Sequence, residues 1–338
     1  VTDVKNDRAA MSSDISTSGD DADAASEHAR VMQERVARAA MRGPKVTRVV
    51  AAKIALRPRI VELWRSRELL TFLVRKEIKV KYKNSVLGFL WSMLNPALTL
   101  VVYFLVFSLV LKNGIPSFGI YLFSGLLIWN FFSTSMTSAT SAVVSNGGIV
   151  KKVAFPREIL ALSSVGSAAV FFFFQGVVMA LFMLALSHSP DWGDMWLLIP
   201  AFVAIMVFAS AMAVFLSAVN VYFRDTQHLV EVLLMVWFWA VPIVYAFHTV
   251  QHGLEKLHLV WLYLVDPLAP VILTFQRVLY NIPVYTEKGT TTTVQLLPAH
   301  GVIWYATCDI AVLVASIGLL MGALVVFGRL EGNFAEEL

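Results

Sequence analysis

Over residues 84–327 the chain runs as long stretches of continuous apolar residues separated by short polar breaks. A hydrocarbon core about 30 Å thick takes about 20 residues of helix, and only helices and closed barrels satisfy every backbone group within it. The stretches are continuous rather than alternating, which selects helices. The pattern predicts six spans at about 86–111, 118–144, 159–187, 196–223, 229–247 and 302–328. A further apolar stretch, 257–283, is interrupted by Asp266, Pro267 and Pro270, and its halves are too short to cross. It reads as two re-entrant outer helices folded at Asp266 and Pro267. One kinked seventh span is the alternative. The predicted fold class is an all-α integral membrane protein.

Charge orients this arrangement. Hydrophobic residues make up 58% of the chain and charged ones only 15%, but nine Lys/Arg against three acidic residues crowd into 57–83, just before the first span. Lys151, Lys152 and Arg157 follow the second. By the positive-inside rule the N-terminus is cytoplasmic, and six spans return the C-terminus to the same side. Within 59–83, Ile60, Leu63, Trp64, Leu70, Val74 and Ile78 share one helical arc while Arg75, Lys76 and Lys79 mostly face elsewhere, and Lys81 intrudes on it. This predicts a basic amphipathic helix at the membrane interface; a basic flank that only sets topology is the plainer reading. Residues 1–56 are expected to form a mostly disordered cytoplasmic tail, with seven acidic residues in 1–27 and helix-compatible sequence from Glu27 to a break at Gly43 and Pro44. No secretory signal is expected there, so the first span would act as the targeting element. Cys308 is the only cysteine and falls inside the last span.

Candidate chemistry is sparse. The chain lacks the phosphate loop GxxxxGK[ST], a G-x-S-x-G elbow and a spaced Cys/His zinc set, so no ATP site, catalytic residue or metal site is expected. His248, His252 and His258 could hold a metal if helical but read first as histidines at a wet boundary, and Asp191 and Asp194 suit metal-assisted sugar transfer or, equally, helix capping. Two acids fall in spans, where ionisable groups are costly. Glu231 lies seven residues after Arg224, predicting a structural ion pair at a helix end. For Asp309, helix–helix hydrogen bonding and a role in a transport path both stand. Aromatic residues concentrate in span 1 (Phe89, Trp91, Tyr103, Phe104, Phe107) and span 5 (Trp237, Phe238, Trp239, Tyr245). Singly they read as packing or interfacial belts; together they would suit sugars, whose C–H faces stack on rings. In the loop 145–159, Ile149, Val150, Val153 and Phe155 sit among Lys151, Lys152 and Arg157, closed by Pro156. This is a compact amphipathic element able to dock on a cytoplasmic partner.

Four ordered blocks then carry a resemblance: VLGFLWSMLNPALTLVVYFLVF (86–107), VSNGGIVKKVAFPREILALS (144–163), NVYFRDTQHLVEVLLMVWFWAVPIVY (220–245) and DPLAPVILTFQRVLY (266–280). Together, over roughly 57–338, the chain resembles membrane subunits of type-2 ABC exporters for lipid-linked polysaccharides. The resemblance implies a six-span homodimer in a bacterial inner membrane, joined by two copies of a separate ATPase that binds ATP and Mg. It implies that 149–156 is the coupling helix, that spans 1 and 5 flank a lateral gate, and that 257–283 supplies outer gate helices. The implied substrate is a polyprenyl-pyrophosphate-linked glycan such as galactan, O-antigen or teichoic acid, galactan being preferred, with Arg75, Lys76, Lys79, Lys81 and Lys83 placed to meet the pyrophosphate or anionic lipid. A permease for small hydrophobic cargo and a membrane-embedded glycosyltransferase are the competing readings. No nucleic-acid partner is expected.

Overall fold

The computed structural model describes residues 30–32, 56–81, 83, 90–106, 115–153, 155–247, 265–282, 284–286 and 293–338. The chain divides into two units, Val1–Lys53 and Ile54–Leu338. In the first, Arg30, Val31 and Met32 are helical and exposed. The second contains helices α1 (Leu56–Arg65), α2 (Arg67–Lys81), α3 (Leu90–Phe104), α4 (Phe118–Ser145), α5 (Gly147–Val150), α6 (Glu158–Ala185), α7 (Leu198–Tyr222), α8 (Thr226–Ala240), α9 (Leu268–Phe275), α10 (Val302–Leu330) and α11 (Phe334–Glu337). Among the described residues four helical stretches are long and apolar enough to cross a membrane: α4, α6, α7 with its preceding 3-10 turn, and α10 with its following one. They begin and end within two residues of four predicted spans, apart from the short turn that prolongs α10 to Asn333.

Helix α4 is the most enclosed of the four. Its hydroxyl residues are compatible with this burial because they donate back to their own helix, as Ser135 Oγ does to the Phe131 carbonyl and Thr140 Oγ1 to that of Met136, each at 2.7 Å. Around α4 the core is aromatic. Phe132 stacks on Phe208 of α7 with ring centres 5.6 Å apart, and Phe172 of α6 stacks on Phe202 of α7 at 4.4 Å. Most rings in these spans are therefore packing groups.

At the end of the bundle carrying α1 and α2, charges tie the helices together. Glu158, the first residue of α6, is fully buried; Arg59 of α1 donates to its Oε1 and also to Glu331 Oε2 at 2.5 Å, just beyond α10. Arg157 donates to the Glu331 carbonyl at 2.6 Å. Further along, α2 approaches α6 closely at Gly166, where an added Cβ would stand 2.8 Å from Val74 Cγ2.

The structure amends several expectations. The interface helix is two helices meeting at a turn at Ser66, and its buried anchor is Leu73, whereas Trp64 is 72% exposed. The fifth span is expected over 229–247, but α8 stops at Ala240 because Pro242 follows and Val241 is extended. Of the re-entrant pair, α9 continues into a π-helical turn, Gln276–Tyr280, ended by left-handed Asn281; the preceding half, 257–264, lies outside the described residues. A short antiparallel pair, Val284–Thr286 with Thr293–Gln295, is an element the hydropathy pattern does not predict.

Arg59→Met is expected to cost about 3–5 kcal/mol, because it strands a buried carboxylate. Adding Glu158→Gln should recover much of that loss. Thermal unfolding of the detergent-solubilised chain measures both, and equal losses in single and double variants would show that the pair is not the tie.

Candidate functional site

Helices α3, α4 and α8 leave a cavity of about 420 Å³ between them. Tyr103, Trp129, Phe238 and Trp239 supply ring faces, and Thr99, Asn130, Ser133, Thr137 and Glu231 supply polar edges. Phe238 stacks on Tyr103 at 5.8 Å and meets Trp129 edge-on at 5.4 Å, so the rings hold one another in place. Such a lining offers flat apolar contact and hydrogen bonds to one ligand at once.

The nine aromatic candidates separate on this geometry. Tyr103, Phe238 and Trp239 line the cavity. Trp237 turns inward, packing edge-on against Phe132 at 5.3 Å and donating Nε1–H to Asp266 Oδ2 at 3.0 Å, so it is a structural tie. Tyr245 donates to the Trp239 carbonyl at 3.1 Å, and Trp91 is half exposed on α3, outside the cavity lining. Phe89, Phe107 and the Phe104 side chain lie outside the described residues, as do His248, His252 and His258. Sequence reasoning passed over Trp129, Asn130, Ser133 and Thr137. Their signal was a polar face on an apolar helix, with Asn130, Ser133, Thr134, Thr137, Ser138, Ser141 and Ser145 spaced by three or four residues.

The structure does not bring Arg224 and Glu231 together. Helix α8 begins at Thr226, so Arg224 is not on its face, and the Glu231 carboxylate lies 3.7 Å from His228 Nδ1 while lining the cavity. Asp191 caps its own turn, accepting the Gly193 N–H at 3.0 Å, and Asp194 pairs with Arg277 at 3.0 Å. Asp309 accepts from Thr274 Oγ1 at 3.0 Å across α9 and α10, while its Oδ1 is buried and has no hydrogen-bond partner among the described residues.

The loop after α4 is amphipathic in a different sense from the expected one. Val150 is 2% exposed and belongs to the chain's own core, with Phe155 packed beside it. Arg157 and its neighbour Pro156 are half-buried, and Arg157 sits 5.9 Å over the Phe334 ring. Ile149, Lys151, Lys152 and Val153 face outward, with Ile149 and Val153 exposed by 41% and 55%. Four residues thus anchor the loop and four present a surface.

Residues 68–280 match the ABC-2 type transporter family. The chain belongs to that family. It is 37% identical over 221 residues to the O-antigen export system permease protein RfbA of Myxococcus xanthus, covering 65% of this chain and 83% of that protein. It is 29% identical over 271 residues to the protein of the same name from Klebsiella pneumoniae, covering 80% and 95%. This membership makes the chain a multi-pass membrane component of a transporter.

Val150→Asp places a charge in a closed core and is expected to abolish recovery of folded protein. Val153→Asp should leave melting within about 0.5 kcal/mol of the parent. Size-exclusion recovery and thermal unfolding distinguish them; equal tolerance would mean that Val150 is not an anchor.

Proposed function

We propose that the chain is the permease of an ATP-driven exporter that moves a lipid-linked, O-antigen-like polysaccharide from the cytoplasmic to the outer side of a bacterial inner membrane. The observation that carries this reading is the cavity between α3, α4 and α8, whose ring faces and hydroxyl edges suit a pyranose chain. The export function in the names of both relatives supports it. In this reading α3 and α8 are the cores of the first and fifth of six spans and form a lateral gate. Both termini are cytoplasmic, and α9 is an outer gate helix. Two copies of the chain assemble with two copies of an ATPase, which holds ATP and Mg. Ile149, Lys151, Lys152 and Val153 form the surface that the ATPase engages, since these residues face outward on a loop anchored by the chain's own core.

Depleting the chain is expected to trap the lipid-linked glycan on the cytoplasmic side, where surface-impermeant labelling cannot reach it. Trp239→Ala, which removes an exposed stacking face worth about 1 kcal/mol, should slow export several-fold with the protein still folded. Paired Ile149→Asp and Val153→Asp should release the ATPase on co-purification. Normal surface glycan after depletion would remove the reading. Persistent ATPase association in the paired variant would remove the docking surface alone.

A further inference from the structure

Two cavities flank α4, and they sort the charged side chains between them. One, of about 380 Å³ between α2, α4 and α6, is lined by Lys76 and Lys81 as well as Glu77. The other is the aromatic cavity between α3, α4 and α8. Among the described residues its single charged side chain is Glu231, with no lysine or arginine in the lining. Arg75, Lys79 and Lys83 are exposed and line neither. Cations crowd α2, but none of them borders the ring-bearing space.

The placement of Glu231 follows from helical spacing. Glu231, Leu234, Met235, Phe238 and Trp239 recur every three or four residues on α8 and form the stripe that borders the cavity. The carboxylate stands near the start of that helix, with Trp239 about 12 Å further along. Its one ion-pair contact among the described residues, His228, is 80% exposed and outside the lining, and the 3.7 Å separation is beyond hydrogen-bond reach. Both carboxylate oxygens therefore keep their acceptor capacity for a ligand.

The facing polar edge on α4 also offers acceptors. Thr137 Oγ1 donates to the Ser133 carbonyl at 3.0 Å, Ser133 Oγ to that of Asn130 at 3.5 Å, and Asn130 Nδ2 to Gln175 Oε1 at 3.2 Å. Each directs a proton into the protein and retains a lone pair. A lining of ring faces, acceptors and one negative charge matches a sugar whose hydroxyls donate, since a carboxylate can accept two neighbouring O–H groups at once. It opposes a sugar that carries a carboxylate or phosphate, which brings further acceptors and a like charge into a space with no cation to offset it.

We propose that Glu231 sets the charge class of the cargo, accepting hydrogen bonds from the hydroxyls of uncharged sugars and excluding acidic ones. The inference deepens the export reading and rests on it for taking this cavity as a glycan path. Full-length chain in phosphatidylcholine nanodiscs, without ATPase, is offered trace octyl glucoside or octyl glucuronide, which differ only in whether the exocyclic carbon is an alcohol or a carboxylate. Each carries a photoreactive diazirine on the alkyl chain near the sugar. Labelling of α3, α4 and α8 is read by mass spectrometry against that of α10, which lies outside the lining. In the wild-type chain the glucoside should label the cavity about tenfold more than the glucuronide, and added salt should narrow the gap. Glu231→Gln, which keeps an acceptor and removes the charge, should close most of the gap by admitting the glucuronide, whereas Glu231→Asp should retain it. Equal labelling by the two glycosides in the wild type, or an unchanged gap in Glu231→Gln, overturns the selection and leaves the export assays untouched. Labelling of the cavity by neither glycoside removes the glycan path itself, and the selection with it.

Discussion

The buried carboxylate of Glu158 is the constraint around which one end of the molecule is arranged. A carboxylate at the start of α6 is favoured by the helix dipole but, once removed from water, needs a fixed counter-charge. Arg59 supplies it from α1 and reaches Glu331 beyond α10 with the same guanidinium, so three separate parts of the chain meet at one cation. The position of α2 follows from this. Held at its start through α1, it lies along α6, where Gly166 permits close approach and three serines engage Glu77. Both the lysine-lined cavity and the direction of the loop after α4 depend on that placement.

Helix α4 divides the membrane region into a closed side and an accessible one. On the closed side its hydroxyls donate to carbonyls one turn back, and its rings pack on α6 and α7. On the other side a band of Asn, Ser and Thr borders both cavities in turn, the aromatic one with Asn130, Ser133 and Thr137 and the basic one with Thr134, Ser138 and Ser145. Hydroxyls suit such a band because they can wet a surface without the cost of a charge in hydrocarbon.

Hydropathy located the four long spans because their continuous apolar stretches match the thickness of a bilayer. It missed the early end of α8, although Pro242 was visible, because the apolar sequence continues past the proline into non-helical, buried residues. The interface helix was mis-phased for a different reason. A pair of helices that buries Leu73 and leaves Trp64 and Phe72 exposed has two apolar faces, and periodicity alone does not say which one is inside. The same ambiguity made Val150 look available for docking. The seven-residue spacing of Arg224 and Glu231 makes a pair only on an unbroken helix, and α8 begins two residues too late. The polar face of α4 was legible in the spacing of its hydroxyls, but single Ser and Thr residues are common in apolar helices, and only the shapes of the two cavities single out this row.

The early stop of α8 has a mechanical consequence. Pro242, just past its end, accepts Gln276 Nε2 at 2.7 Å, and Trp237 in its last turn donates to Asp266 at 3.0 Å. The two bonds hold the segment formed by α9 and its π turn at Asp266, just ahead of α9, and at Gln276, where the π turn begins. Swinging α8 away from α3 without moving that segment would forfeit both. The position of α8 is therefore tied to that segment, whose Arg277 in turn holds Asp194 at 3.0 Å, at the opposite end of the bundle from α1.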